Sequence, residues 1–304
     1  MKKNIFLSFC LVLVLFSCQK TIKTMNTQTT QNKYLDVAYH NQSEAQKLDI
    51  YLPEKGNKFP VIIAIHGGAF LFGDKKDDQL TPMLEGLQRG YAVVSINYRL
   101  SGEAIFPAQI QDVKAAIRFI KANAAQYHID SSRVAVWGGS AGGYLSALAG
   151  TTSGNSVFDT ENMPNRKATS DVKAVVDWFG PIDFLQLDEQ FKASGKGKPD
   201  HNDAQSPESK LMGAQITTIL DKIKMANPET YINASNPYFL IQHGTSDKLI
   251  PTEQSINFSQ KLEKVLGESK VKTTYLPNAE HGDKQFGSKE NLNIVFDFLE
   301  KNLK

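Results

Sequence analysis

The sequence predicts an α/β fold in which a mostly parallel sheet carries helices on both faces. Short apolar runs typical of buried strands alternate along the chain with segments whose apolar residues recur every three or four positions. Residues 60–65 are apolar throughout, as expected for a strand buried on both faces. The helix predicted after Pro107 has Ile110, Val113 and Ile117 along one face. Strands that alternate with helices favour parallel pairing, because each parallel neighbour needs a crossover connection.

The remaining elements follow in chain order. Residues 34–39 and 47–52 are predicted strands joined by a polar turn, and the later strands are 60–65, 91–97, 133–137, 173–179, 238–242 and 271–276. Small residues predict a tightly packed helix over 144–149, and amphipathic spacing predicts two more at 258–266 and 292–299. Arg99 and Asp112 are predicted to form an ion pair that fixes a loop beneath the sheet edge. No internal repeat is present, so residues 34–304 are expected to form one domain.

Residues 185–235 interrupt this alternation. They begin with a polar stretch over 192–210 and continue with a weaker helical pattern over 216–225. The segment is predicted to be an insertion beside the sheet that serves as a lid or pocket wall, since long insertions in α/β enzymes commonly do. The alternative is a peripheral loop with no role.

The composition is that of an ordinary globular protein. Of the 304 residues, 41% are hydrophobic and 22% are charged, which excludes collagen-like, coiled-coil and wholly disordered chains. The 34 Lys and Arg against 32 Asp and Glu give a formal net charge of +2, so there is no electrostatic reason to expect nucleic acid as a partner.

The first 17 residues have the pattern of a signal peptide. Lys2 and Lys3 precede an apolar stretch over residues 5–16, which is shorter than the roughly 20 residues that span a bilayer. The stretch ends in Leu15-Phe16-Ser17-Cys18, which resembles the lipobox of bacterial lipoproteins. The resemblance implies cleavage before Cys18, lipidation of that cysteine and membrane attachment through it.

Residues 18–33 are polar and are expected to form a flexible tether. Because no acidic cluster follows Cys18, the anchored protein is expected to face the periplasm of a bacterial cell envelope, with secretion or surface exposure as the alternative. Cys10 would leave with the signal peptide, so the mature chain would have neither a cysteine nucleophile nor a cysteine-based zinc site.

A glycine-rich turn around Ser140 joins a predicted strand to a predicted helix. The residues are Gly138-Gly139-Ser140-Ala141-Gly142, directly after the strand over 133–137. This context is typical of a nucleophile elbow, in which flanking glycines allow a sharp turn that lifts the serine hydroxyl above the sheet edge. The free N–H groups at the helix N-terminus favour negative charge beside that hydroxyl.

A second glycine-containing loop, His66-Gly67-Gly68-Ala69-Phe70, follows the strand over 60–65. Acyl transfer passes through a tetrahedral oxyanion that needs backbone N–H donors already in place. We predict Gly68, Ala69 and Ala141 as those donors, with His66 bracing the loop. Phe70 and Phe72 either line an acyl pocket or anchor the loop.

Asp247 and His281 are predicted to activate Ser140. A serine hydroxyl needs a base to remove its proton, and the base needs an acid to hold it. Of the six histidines, only His281 lies in a loop after the final strand, and Asp247 follows the strand over 238–242. The chain order of serine, aspartate and histidine matches that of a serine hydrolase of this architecture.

These segments together resemble the α/β-hydrolase esterase/lipase family, including hormone-sensitive-lipase-like carboxylesterases and, most closely, bacterial acetyl-esterase and feruloyl-esterase-like proteins of the BD-FAE type. The resemblance covers roughly residues 35–303. The segments that carry it are His66 to Phe70, Asn97-Tyr98-Arg99-Leu100, Phe106-Pro107-Ala108 with Asp112, Trp137 to Gly143, Ser206-Pro207-Glu208-Ser209 and His243 to Pro251. Ala69 stands where many relatives have a third glycine, a change that keeps the backbone N–H.

The resemblance implies an α/β-hydrolase fold and a serine esterase that cleaves short-chain acyl esters, among them acetyl or feruloyl groups on carbohydrate. The predicted chemistry needs neither a metal nor a cofactor. Two alternatives stay open: a serine peptidase of the prolyl-oligopeptidase type, which shares the elbow and a segment like His243-Gly244-Thr245, and a non-catalytic binding protein on the same fold.

Overall fold

The computed structural model describes residues 32–304, which are built around one eight-stranded sheet. The predicted signal peptide, Cys18 and nearly all of the predicted tether lie outside the described residues. The strands are β1 (Lys33–Ala38), β2 (Lys47–Tyr51), β3 (Phe59–Ile65), β4 (Ala92–Ile96), β5 (Ile129–Gly139), β6 (Ala174–Trp178), β7 (Tyr238–Gly244) and β8 (Val271–Leu276).

Within residues 32–304, eight α-helices accompany the strands. They are α1 (Thr81–Leu84), α2 (Ala108–Ala122), α3 (Ala141–Thr151), α4 (Leu187–Ser194), α5 (Pro207–Met212), α6 (Leu220–Ala226), α7 (Thr252–Leu266) and α8 (Lys289–Leu303). Short 3₁₀ turns flank several of them. No helix within residues 32–304 combines the length and hydropathy that crossing a membrane requires.

The spatial order of the strands is β1-β2-β4-β3-β5-β6-β7-β8. Strands β3 to β8 pair in parallel, whereas β2 pairs antiparallel with both β1 and β4. The predicted α/β-hydrolase fold with its mostly parallel sheet is therefore confirmed. Because the parallel strands end at one edge, the loops after β3, β5, β7 and β8 meet there.

The central strands β3, β4 and β6 bury both of their faces. Val61, Ile63 and Ile65 of β3 belong to the apolar cluster that includes α2, α3 and α7, while Ile62 and Ala64 belong to the cluster under α8. Alternate side chains of an extended chain point to opposite faces, so an unbroken apolar run is what a central strand requires.

The segment 185–235 lies between β6 and β7 and contains α4, α5 and α6. It is more helical than its polar sequence predicts. Leu187, Leu211, Ile216 and Ile223 are almost fully buried in the larger apolar cluster. The segment is thus packed against the domain rather than projecting from it.

The loop after β4 is fixed to α2 by the predicted ion pair. Arg99 donates from Nε and Nη2 to the two carboxylate oxygens of Asp112, each at 2.8 Å. Gln46 donates to the same carboxylate at 2.7 Å. A bidentate guanidinium–carboxylate pair fixes direction as well as distance, so the loop beneath the site is held rigidly.

Candidate active site

Ser140 occupies the one-residue turn between β5 and α3. Its backbone has φ 56° and ψ −122°, a combination that L-residues rarely adopt. The Ser140 N–H donates to the carbonyl of Trp178 on β6 at 2.9 Å, which ties the turn to the neighbouring strand. The hydroxyl therefore stands beyond the carboxyl edge of the sheet, at the N-terminus of α3.

The glycines around Ser140 are required by close backbone contacts. A Cβ at Gly138 would lie 2.3 Å from the backbone of Gly142, and a Cβ at Gly142 would lie 2.1 Å from the carbonyl oxygen of Ile65. Neither neighbour is a flexible side chain that could move aside. The turn can therefore pack between β3 and β6 only with glycine at these two positions.

The structure brings Ser140, His281 and Asp247 together from three separate loops. His281 Nε2 lies 3.0 Å from Ser140 Oγ, and His281 Nδ1 lies 2.7 Å from Asp247 Oδ2. With its Nδ1 proton directed at the carboxylate, the imidazole presents Nε2 as an acceptor for the serine proton.

Asp247 is buried and fully hydrogen-bonded. Its Oδ1 accepts from the N–H groups of Leu249 and Ile250 at 2.8 and 2.9 Å. Burial raises the pKa of Asp247, but the contacts with His243 and His281 outweigh it, and the pKa lies well below its ordinary value. The side chain is therefore a carboxylate at neutral pH.

Sequence reasoning missed His243. It precedes Asp247 by four residues at the end of β7, and its Nε2 lies 3.3 Å from Asp247 Oδ2. The one feature of the sequence that could have pointed to His243 is its position four residues before Asp247. A strand-end histidine gives no indication from sequence alone of which carboxylate it will meet.

The loop after β3 turns sharply at three consecutive residues with positive φ, namely Gly68, Ala69 and Phe70. The N–H groups of Leu71 and Phe72 both donate to the Gly68 carbonyl. His66 is buried, stacks on Tyr98 and places Nδ1 2.7 Å from the Gly67 carbonyl. These contacts agree with the bracing role predicted for His66.

A cavity of about 690 Å³ opens over Ser140. Its lining includes Ser140, Ala141, His281 and Ala69. The rest of the lining comes largely from the Asp247 loop and the segment 185–235, namely Leu249, Ile250, Lys196, Gly197, Lys198, Asp200, His201, Pro207 and Glu208. Of the predicted oxyanion donors, Ala69 and Ala141 line this cavity, whereas Gly68 lies one residue earlier in its loop. A second cavity of about 730 Å³, at the opposite sheet edge, has no histidine in its lining.

Phe70 and Phe72 differ in their surroundings. Phe70 is buried, lines the cavity and packs edge-on against Tyr144 and Phe184, with ring centroids 5.4 and 6.3 Å away. Phe72 is 46% exposed. Phe70 alone therefore combines the two alternative roles, since it anchors the loop and forms part of the cavity surface.

The partly buried His201 and the buried Glu208 form a pair in the cavity wall that sequence reasoning missed. His201 Nδ1 lies 3.1 Å from Glu208 Oε1, and Nε2 lies 3.1 Å from the Leu249 carbonyl, so this imidazole joins the wall to the Asp247 loop. Burial lowers the pKa of His201, but the Glu208 carboxylate outweighs it and the pKa is raised. Residues 32–304 contain no cluster of three side chains suited to bind a metal.

The fold and the Ser140–His281–Asp247 arrangement together define the α/β-hydrolase class. The BD-FAE family model matches residues 48–262, and the chain belongs to this family.

Two curated relatives from Mycobacterium tuberculosis share much of the sequence. One, named probable carboxylic ester hydrolase LipM, is 33% identical over 260 residues, which cover 83% of this chain and 57% of that protein. The other, esterase LipQ, is 30% identical over 252 residues, which cover 81% of this chain and 56% of that protein. The chain thus spans just over half the length of these relatives.

Two solved structures are similar over nearly the whole chain. A bifunctional GH43-CE protein of Bacteroides eggerthii has a TM-score of 0.80 and 36% identity, over 90% of this chain and 35% of that one. A truncated carbohydrate esterase from gut microbiota has a TM-score of 0.79 and 34% identity, over 92% of this chain and 99% of that one.

Proposed function

We propose that the protein is a serine carboxylic-ester hydrolase. The observation that carries the proposal is the unbroken contact from Ser140 Oγ to His281 Nε2 at 3.0 Å and from His281 Nδ1 to Asp247 Oδ2 at 2.7 Å. Family membership and the esterase relatives support the same reaction class.

The reaction proceeds through an acyl-enzyme. His281 removes the Ser140 proton as the hydroxyl attacks the ester carbonyl, and Asp247 stabilises the imidazolium that forms. The backbone N–H groups of Gly68, Ala69 and Ala141 hold the oxyanion. His281 then protonates the departing alcohol, and the same imidazole activates a water that releases the acid.

The proposed substrate is a short-chain acyl ester of a carbohydrate, with acetyl or feruloyl as the acyl group. One of the similar solved structures is described as a carbohydrate esterase, which supports a sugar as the alcohol. The aromatic packing of Phe70 against Tyr144 and Phe184 leaves little freedom for that side of the cavity to widen, which favours a short acyl chain.

Replacing Ser140 tests the catalytic assignment. We expect Ser140→Ala to lower kcat/KM for p-nitrophenyl acetate at least about 10⁴-fold, because the nucleophile is lost while the fold stays intact. Ser156→Ala is the matched control, since Ser156 is exposed and outside the cavity. Full activity in Ser140→Ala would refute the assignment.

A substrate panel measured on the same protein separates the alternatives. Esters of rising acyl length, methyl ferulate, acetylated xylan and an aminoacyl anilide would be compared by kcat/KM. Preference for the anilide would favour the peptidase alternative. Failure of Ser140 to react with a fluorophosphonate, together with no turnover of any substrate, would favour a non-catalytic binding protein.

We also propose that the mature protein is anchored in the bacterial envelope through a lipidated Cys18. The supporting observation is the basic and then apolar N-terminal sequence that ends at this cysteine. Metabolic labelling with an alkyne fatty acid should mark the wild-type chain and not Cys18→Ser. Equal labelling of both would contradict the proposal.

A further inference from the structure

His243 occupies a closed polar site next to the proposed triad. It is fully buried at the end of β7. Its Nδ1 lies 2.7 Å from Ser255 Oγ on α7, and its Nε2 lies 3.1 Å from the Ile250 carbonyl oxygen and 3.3 Å from Asp247 Oδ2. Every polar atom of the ring therefore faces a partner.

The surroundings of Nε2 fix its protonation. A carbonyl oxygen and a carboxylate oxygen can both only accept a hydrogen bond, so Nε2 must carry a proton. That proton is directed between Ile250 and Asp247. His243 thus faces the Asp247 carboxylate as a donor.

The two oxygens of Asp247 are held differently. Oδ1 is fixed by two backbone N–H groups of its own loop, whereas Oδ2 meets the two imidazoles, His243 and His281. His281 gains and loses a proton during turnover and its ring must move slightly. It therefore cannot also hold Asp247 Oδ2 in one position. His243 can, because its backbone is part of β7.

We infer that His243 is a positioning residue that holds Asp247 Oδ2 in line with His281 Nδ1. The inference rests on the proposed function, because positioning matters only if His281 acts as the base. His243 does not line the cavity over Ser140, and its polar contact with the triad is the one with Asp247.

Replacing His243 by glutamine or by asparagine tests the roles of its two ring nitrogens separately. Glutamine places its side-chain N–H near the position of Nε2, so His243→Gln can still donate to Asp247. Asparagine places its N–H near Nδ1, so His243→Asn keeps only the contact with Ser255. We expect His243→Gln to stay within about threefold of wild-type kcat, and His243→Asn to lose roughly 10- to 100-fold, the range that losing one hydrogen bond to a charged group implies.

The pH profile distinguishes positioning from packing. The titratable groups that face Asp247 are His243 from β7 and His281 from the loop after β8, while Lys248 beside it is paired with Glu280 at the surface. In His243→Asn, the Asp247 carboxylate loses one hydrogen-bond donor. It therefore stabilises the protonated form of His281 more strongly. The acid limb of the kcat/KM profile should therefore move to higher pH in His243→Asn and not in His243→Gln, with KM little changed.

Ser255→Ala is the matched control, because it removes the far partner of His243 and leaves the contact with Asp247. It should keep kcat within about threefold of wild type, since no donor to the carboxylate is lost. Equal kcat losses in the two amide variants, with an unmoved acid limb, would show that His243 only packs and would overturn the inference.

A measurement on the wild-type protein stands apart from esterase activity. In ¹⁵N-histidine spectra of the full chain, Nε2 of His243 should carry a proton across neutral pH, whether or not any ester is cleaved. An unprotonated Nε2 would overturn the inference even if the variants fail to fold. Absence of turnover in the wild type, with this proton present, would instead count against the proposed function alone.

Discussion

Ser140 is held in a backbone conformation that the chain would not adopt by itself. A non-glycine residue with positive φ outside the left-handed helical region costs on the order of 1–3 kcal/mol. The cost is offset by the contacts on either side, where Ser140 N–H bonds to β6 and Gly142 packs on the backbone of β3. The strain places the hydroxyl within reach of His281.

The contact at Gly142 leads to a prediction about stability. Gly142→Ala would place its Cβ 2.1 Å from the Ile65 carbonyl, so we expect a loss of more than about 3 kcal/mol in the free energy of unfolding, or no folded protein. Gly102→Ala, with nothing within 4 Å of its Cβ, should change it by less than about 0.5 kcal/mol. Urea unfolding checks both, and a Gly142→Ala protein as stable as wild type would contradict the packing argument.

At the scale of single residues, the sequence could identify the side chains whose type and place in the chain order match a known catalytic arrangement. Ser140, Asp247 and His281 each follow a predicted strand in the order that the architecture uses. His243 and His201 were missed because their partners, Asp247 Oδ2 and Glu208, are specified by side-chain directions. No periodicity in the sequence records those directions.

For helices and strands too, features with a strong sequence pattern were predicted, and features set by long-range packing were not. All eight predicted strands were found, all but β5 within two residues at each end, and the central strands were recognisable because a strand buried on both faces shows a nearly unbroken apolar run. Strand β5 is longer than predicted at both ends, since Ile129 pairs with Phe59 of β3 and Gly138 and Gly139 continue the ladder with β6. The helices α4 and α5 were not predicted and α6 only overlaps the weak helical pattern over 216–225, because their few apolar residues reach the core through long-range packing rather than through a strong helical pattern.

The segment 185–235 is joined to the Asp247 loop by His201. Both ring nitrogens face acceptors, the Glu208 carboxylate and the Leu249 carbonyl, so the doubly protonated ring suits the site best. This agrees with the raised pKa of His201. The wall of the cavity is thus held most firmly when this histidine carries a charge.

Protonation of His201 makes the free energy of unfolding depend on pH, because the charged ring is favoured in the folded state. Because the folded-state pKa of His201 is raised, its contribution is fully present below about pH 6.5 and is lost as the pH rises through the folded value. We expect His201→Gln to lower the free energy of unfolding by about 1–2 kcal/mol near pH 5.5 and by less near pH 9.

Urea unfolding at the two pH values measures this effect, and hydrogen exchange over residues 196–208 locates it. Glu208→Gln is the matched variant, since it leaves the imidazole but removes the charge that raises its pKa. It should flatten the pH dependence in the same way. A His201→Gln effect that is equal at both pH values would contradict the charged link.

At the scale of the whole molecule, the sheet separates the cavity from the N-terminal end of the described chain. Strand β1 is antiparallel to β2, which is antiparallel to β4, so β1 runs in the direction of the parallel strands. It therefore begins, at Lys33, at the edge opposite the one where Ser140 follows β5. Lys33, where the described chain begins β1, and the cavity over Ser140 therefore lie at opposite edges of the sheet.

This geometry predicts how an anchored protein would face its surroundings. If Cys18 carries the proposed lipid, the attached chain enters the domain at the edge opposite the cavity, and a flexible tether over residues 18–33 leaves the cavity accessible. Fluorophosphonate should then label Ser140 of the lipidated full chain at the same rate, within about twofold, in phosphatidylethanolamine–phosphatidylglycerol vesicles and in detergent, because neither access nor the site changes. Ser140→Ala controls for labelling elsewhere. Labelling that slows severalfold on vesicles alone would mean that the membrane covers the cavity, which would contradict the prediction that the cavity stays accessible.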